Sequence, residues 1–512
     1  MRPLSILLLS LLSSQAAERP NILFIFSDDH ALQAISAYGG RFKDIAPTPN
    51  IDRLATQGAV FERSYCANSI CGPSRACILT GKHSHINGFI DNNSSKFNGA
   101  QPTFPKYLQQ AGYQTAVIGK WHLVSNPTGF DYWEILPGQG SYYNPDFIQM
   151  DGSTTRVEGY VTDIIGDKTL DWLKNRRDKD KPFVLMSQQK APHRNWVPAE
   201  RHYKLFEGRQ MPEPETLFDD YANRSAALKK QEMSIANHFW WENDLLLPGK
   251  STDPRFLNGI GNGEFKRMNS AQTGAFQKAY GAENQKLIDD LAAGKLSDTD
   301  VIRWKYQRYI KNYLRCVRSL DENIGRLLDY LDESGLAKNT IVIYSSDQGF
   351  YLGEHGWYDK RWMFEESLVM PFLIRWPDVV KPGVRSKALI QNIDYAPTFL
   401  DAAGVKIPED IQGRSLVPVL RNAGDAPADW RKAIYYFYSG EATHHVAAHD
   451  GVRSDRYKLF YLPDTREWQL FDLEKDPQEM KSLHDDPAYA AVFADMKKIY
   501  QEVRAQYRVK SS

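Results

Sequence analysis

Near its start the sequence carries an uninterrupted apolar run, NILFIFS at 21–27. No alternation of apolar and polar positions marks a water-facing side, so the run fits a strand covered on both faces, as in a parallel sheet. Shorter runs repeat the pattern: TAVIG at 115–119, PFVLMS at 182–187, TIVIYS at 340–345 and PFLIRW at 371–376. Between them the apolar spacing changes to three and four. The clearest case spans 301–335, where Ile302, Tyr306, Tyr309, Tyr313, Cys316, Leu320, Ile324, Leu327 and Leu331 share one helical face and Gly335 supplies a stop. Strands alternating with helices predict an α/β fold, a large mostly parallel sheet flanked by helices.

Two stretches depart from this rhythm. Residues 201–299 are polar, with scattered Pro, Gly and Asn, and read as a long excursion of short helices packed on the main domain. Residues 413–427 mark a domain boundary, placing the larger domain at 18–421 and a smaller α+β domain at 422–512. Within the latter, 433–438, 451–461 and 467–473 predict an antiparallel sheet, and 488–507 a closing helix. The first seventeen residues read as a signal peptide, with Arg2, an apolar stretch from Leu4 to Leu12, and small residues at Ser14, Ala16 and Ala17. No Cys follows for a lipid anchor, and no other run is long enough to span a bilayer. An exported protein, periplasmic or secreted, is expected.

Composition narrows the function classes. The 512 residues carry 63 basic and 63 acidic side chains, and this zero balance argues against a nucleic-acid partner. A local cationic cleft remains compatible with an anionic small substrate. The four cysteines, Cys66, Cys71, Cys77 and Cys316, are too few for a disulfide scaffold. Cys66, Cys77 and Cys316 are expected to be buried thiols, or to include one disulfide.

Two predicted strands end in chemistry. The first runs into Ser27-Asp28-Asp29-His30, the second into Ser346-Asp347-Gln348-Gly349. Ligands collect beyond the carboxyl ends of strands in an open parallel sheet. Adjacent carboxylates repel unless a cation lies between them. Asp28, Asp29, Asp347 and the amide oxygen of Gln348 make an all-oxygen set suited to Ca²⁺ or Mg²⁺. Each Asp alone would serve equally well as a helix or turn cap. A third motif is Cys71-Gly72-Pro73-Ser74-Arg75. Pro73 suits a first helical turn and Gly81 a stop, which puts Cys71 at a helix N-terminus with Arg75 one turn on, on the same face. A nucleophile, a helix dipole and an Arg together form an oxyanion site.

Cys71-Gly72-Pro73-Ser74-Arg75, continued by Thr80-Gly81-Lys82, resembles the C-x-P-S-R signature of the formylglycine-dependent sulfatases, and the likeness covers nearly the whole mature chain. The resemblance implies an alkaline-phosphatase-like α/β sandwich with a smaller C-terminal antiparallel-sheet domain. It implies oxidation of Cys71 to formylglycine by a maturation enzyme, with the hydrated aldehyde as nucleophile. Asp28, Asp29, Asp347 and Gln348, with residue 71, match the metal ligands; Gln stands where many relatives have Asn or His. Gly119-Lys120-Trp121-His122 resembles the element supplying a Lys and a His. Ala191-Pro192-His193 resembles the segment supplying another His, and Asp359-Lys360-Arg361 the one supplying a last Lys. By the same likeness Arg75, Lys120 and Lys360 hold the sulfate, and Asp347 assists deprotonation of the nucleophile. His193 and Lys360 protonate the leaving oxygen, and His122 releases sulfate. Phe218-Asp219-Asp220-Tyr221 and the segment 346–356 resemble bacterial polysaccharide and mucin sulfatases; the context of Asp359-Lys360-Arg361 resembles the N-acetylglucosamine-6-sulfatases. A sulfated carbohydrate is therefore the expected substrate, with His355 and Arg361 as sugar contacts and His444, His445 and His449 as pocket-lining candidates from the C-terminal domain. A phosphonate monoester or phosphodiester hydrolase of the same superfamily is the alternative, and a non-catalytic glycan-binding protein is a more distant one.

Overall fold

A computed structural model describes residues 19–440 and 443–510; the expected signal peptide lies outside them. The apolar runs form a ten-stranded sheet. Its centre is parallel, in the order Thr340–Ser346, Asn21–Ser27, Phe183–Gln188, Gln114–Lys120, Tyr132–Leu136. Phe24 sits opposite Ile343 on one side and Met186 on the other, so the carboxyl ends of these strands finish level. The 371–376 run forms Phe372–Arg375, which lies antiparallel to Thr340–Ser346. The connection between them contains only the short helical turns Glu354–Gly356 and Glu365–Leu368, and without a crossover helix the chain returns antiparallel.

Both faces of the sheet are covered, which is why its central strands read as unbroken apolar runs. Leu23, Ile25, Ile118, Leu185 and Val342 pack toward Leu320, Ile324 and Leu327 of the long helix Asp298–Glu333. Ile22, Phe24, Phe26, Val184 and Ile343 pack on the opposite face with Leu79, Phe399 and Leu400. The long helix starts at a reciprocal capping box between Ser297 and Asp300 and stops two residues before Gly335, which takes φ 75°.

The 201–299 excursion differs from expectation in one place. It includes a 23-residue helix, Ser270–Ala292, opened by an Asn269–Gln272 capping box. Only Phe276, Tyr280, Asn284 and Leu287 are buried along it, a stripe narrow and polar enough to hide the helical period. The C-terminal sheet is a four-stranded antiparallel meander of Ala433–Tyr438, His449–Ser454, Tyr457–Leu462 and Glu467–Asp472, covered by helix Ala490–Gln506. The single strand expected at 451–461 is a hairpin turning at Asp455-Arg456, a turn that lacks the Gly or Asn that would have announced it. All four cysteines are free and buried.

Candidate active site

The site begins with register. Ser27 pairs with Ser346, so Asp28-Asp29 and Asp347-Gln348 leave adjacent strands side by side. The Asp29 backbone takes φ 63°, and its N–H donates to Asp347 Oδ1 at 3.0 Å. Carboxylate oxygens of Asp28, Asp29 and Asp347 all lie within 4.8 Å of one another, and all three residues are buried. Burial raises Asp29 to about 7, against the pull of Lys360 and with the repulsion of Asp28 and Asp347 added. Burial and Asp28 raise Asp347 as well. Asp28 is held well below the usual range: burial works upward, but the cations Lys120 and Arg75 outweigh it.

The Cys71–Thr80 helix delivers its first residue to this cluster. Cys71 Sγ lies 3.4 Å from Asp28 Oδ1 and 3.5 Å from Lys360 Nζ. A side chain at Gly72 would meet Phe89 and Asn92 at 2.4 and 2.6 Å, so the Gly lets the helix start pack flush. Arg75, one turn along, donates to Asp347 Oδ2 at 3.0 Å, Asp28 Oδ2 at 3.1 Å and the Lys120 carbonyl at 2.7 Å. It also reaches Gln188 Oε1 at 3.2 Å. Burial and the neighbouring Asp28 push the Cys71 thiol far up, so the unmodified side chain is a neutral thiol.

Further strand ends complete the ring. Lys120 closes Gln114–Lys120 and pairs with Asp28 Oδ2. Gly119 takes φ 105° there, and a Cβ would collide with the Gln188 carbonyl. His122 follows with φ 54°, and its buried Nδ1 has no partner among the described residues. Lys360 Nζ donates to both carboxylate oxygens of Asp29, at 2.6 and 2.7 Å. His193 donates through Nδ1 to the Arg194 carbonyl at 2.6 Å, which turns Nε2 toward Asp29 Oδ2 at 3.8 Å. Burial and Lys120 lower both His122 and His193 well below the usual range, so both imidazoles are neutral near pH 7.

The donor set fits a hard divalent cation. Three carboxylates converge out of solvent, and burial first, then their mutual repulsion, raises Asp29 and Asp347 even with Arg75, Lys120 and Lys360 beside them. Gln348 donates its amide nitrogen to Asp29 Oδ1, while its buried Oε1 has no partner among the described residues. An oxygen left without a donor beside three carboxylates is what an oxygen-liganded cation satisfies.

The structure brings Asp28, Asp29, Cys71, Arg75, Lys120, His193, Asp347, Gln348 and Lys360 together. Arg361 is buried beside them, paired with Asp359. His444 reaches Asp359 Oδ2 at 3.2 Å, tying the turn between the first two strands of the C-terminal sheet to this edge. His355 is enclosed: its Nδ1 meets Asp219 at 2.9 Å and its ring packs on Trp357 and Phe364, an arrangement that orders the loop and turns its nitrogens inward. His449 is equally internal, stacked on Trp362 and accepting from the Met363 N–H at 3.1 Å. His445 is exposed and faces Glu232. Sequence reasoning missed Gln188 and Asp359. Gln188 ends a central strand, and that position could have flagged it. Asp359 adopts φ 72°, which composition does not announce.

Comparison with known proteins identifies the family. A family profile described as Sulfatase matches residues 20–405, and one described as N-sulphoglucosamine sulphohydrolase, C-terminal, matches 353–506. The chain belongs to the sulfatase family and is an enzyme, a sulfuric ester hydrolase. It is 49% identical to an N-acetylglucosamine-6-O-sulfatase of Bacteroides thetaiotaomicron, over 96% of this chain and 88% of the relative. It is 27% identical to the human N-acetylglucosamine-6-sulfatase, over 83% of this chain and 68% of that one. A solved structure in complex with its substrate D-glucosamine-2-N,6-O-disulfate superposes with a TM-score of 0.90 at 49% identity, covering 96% of this chain and 98% of the other. A phosphonate monoester hydrolase of Agrobacterium radiobacter shares the fold alone, with a TM-score of 0.69 at 20% identity over 96% of this chain and 96% of that one.

Proposed function

We propose that this sulfatase is exported to the periplasm or beyond and removes sulfate from carbohydrates, acting from the chain end on the 6-sulfate of N-acetylglucosamine. The observation that carries the chemistry is the meeting of Asp28, Asp29, Asp347 and Gln348 beside residue 71. The sugar assignment is supported by the 49% identical relatives and by the Asp359–Arg361–His444 edge next to Lys360.

The neutral, buried Cys71 thiol is a poor nucleophile as synthesised. Formylglycine at this position, once hydrated, supplies a hydroxyl nucleophile, and a divalent cation (Ca²⁺ before Mg²⁺) supplies Lewis-acid polarisation of a sulfate oxygen. Asp28, Asp29, Asp347 and Gln348 would hold that cation. Arg75, Lys120 and Lys360 are fixed in advance and offset the charge that grows on the sulfate oxygens. Asp347 accepts the proton of the attacking hydroxyl. Binding of the anionic sulfate ester favours the imidazolium, so His193 carries a proton on Nε2 and, with Lys360, gives it to the departing sugar oxygen. His122 accepts the proton whose removal frees sulfate.

The test joins two readouts on the exported chain. Peptide mass spectrometry across residue 71 should find the aldehyde, and a panel of defined sulfated mono- and disaccharides should single out 6-sulfated glucosamines. Cys71→Ala should abolish turnover while leaving the melting curve unchanged. Residual turnover near the parent rate in that variant overturns the nucleophile. Preference for a paired aryl phosphodiester over the aryl sulfate overturns the substrate class.

A further inference from the structure

The sheet has a second pole. The strands that lead into the site are six or seven residues long, so their amino ends lie roughly 20 Å from the site at their carboxyl ends. At that far edge, against the residues that lead into Asn21–Ser27, Phe183–Gln188 and Thr340–Ser346, the surface opens into a cleft of about 750 Å³. Five cations line it, Arg19, Arg177, Lys179, Lys181 and Lys338, against the single carboxylate of Asp180. In a chain whose total charge is zero, this is a marked local surplus.

The surplus is not spent within the protein. Lys181 has a long contact to Asp178, 3.5 Å between two exposed groups. Arg19 and Arg177 donate to main-chain carbonyls, those of Ala111 and Leu173, at 2.6 and 3.1 Å, which orients the guanidinium groups without neutralising them. Among the described residues, neither these two Arg side chains nor Lys179 or Lys338 has a carboxylate partner within ion-pair distance. Like charges this close repel, and they persist most economically where an anionic partner relieves them.

We propose that this cleft is a second binding site, one that takes an anionic segment of a sulfated polysaccharide remote from the residue being hydrolysed. The inference rests on the sulfated-glycan reading of the catalytic site. The cleft is concave and of a size that holds one or two sugar units. A flat lipid surface would not enter it, and only Pro182 and Leu336 offer apolar contact, too little to anchor in a membrane. Its service is retention: holding polymer at one pole raises the local concentration of chain ends at the other.

The experiment uses the full exported chain and heparin as the sulfated polymer. In titration calorimetry at low salt, the parent should bind heparin. The triple variant Lys179→Ala, Lys181→Ala, Lys338→Ala should bind about tenfold more weakly, the product of three exposed ion pairs. Its affinity should also depend less steeply on salt. Hydrolysis of glucosamine 6-sulfate should be equal in both chains. No heparin binding by the parent, or equal binding by the variant, overturns the inference. Vesicles of phosphatidylglycerol form the second arm: binding that the variant loses to the same extent assigns the cleft to anionic lipid and overturns the glycan reading. If neither chain hydrolyses the monosaccharide, the proposed catalytic substrate fails, while the heparin comparison still decides the cleft.

Discussion

At the scale of single residues, what matters is how burial redistributes protons. Cys71, His122 and His193 are all kept neutral by loss of solvent, the thiol by a raised pKa and the imidazoles by lowered ones. With Nδ1 committed to the Arg194 carbonyl, Nε2 of His193 is the nitrogen left to take up a proton when the anionic substrate binds and to pass it to the leaving oxygen. Removing it with His193→Ala should lower kcat on a sugar sulfate by ~10²–10⁴-fold. The loss should be far smaller on an aryl sulfate, whose leaving oxygen needs no proton. Equal losses on the two substrates would show that His193 only shapes the pocket. His355 shows the same physics used for structure. The side chain of its partner Asp219 is enclosed, yet the hydrogen bonds from His355 and Arg224 bring its pKa down from 3.8 to about 2. A carboxyl depressed on folding stabilises above its unfolded pKa, and that contribution disappears as pH falls from about 4 toward 2. Asp219→Asn should therefore lower Tm at pH 7 and leave it nearly unchanged near pH 2, and a deficit that persists at pH 2 would contradict this account.

At the scale of elements, the strands and the long helix were legible because their burial is extreme. Asn21–Ser27 and Thr340–Ser346 are buried at every position, so the unbroken apolar run signalled a two-faced sheet. The 301–335 period survived because Tyr306, Tyr309, Tyr313, Leu320, Ile324 and Leu327 all face one continuous core. Helix Ser270–Ala292 was not legible, since most of its surface meets water, and neither was the turn at Asp455-Arg456. Leu320, fully buried beneath the sheet, carries an element-scale prediction. Leu320→Ala should cost ~2–5 kcal/mol in urea unfolding, through lost transfer energy and the cavity left behind. A cost under about 1 kcal/mol would mean that this face repacks freely.

At the scale of the whole molecule, the site is a consequence of topology. Four strands that run the same way finish at one edge, and each leads into a residue of the site: Asp28, Lys120, Gln188 and Asp347. The acidic ends and the Cys71 motif could be read directly from the chain, because their residue types are rare at such positions. Asp359 and the His444 contact could not. They depend on a left-handed backbone turn and on where the loops of the C-terminal sheet pack, neither of which leaves a mark on local spacing. The central claim is that the oxygen groups of two neighbouring strand ends hold one cation beside residue 71. Calcium titration of the chelator-stripped chain, by calorimetry, tests it most directly. The parent should bind one Ca²⁺ per chain and regain turnover with that single equivalent, and Asp347→Ala should bind none at the same concentrations. Unchanged stoichiometry and affinity in Asp347→Ala would contradict the account.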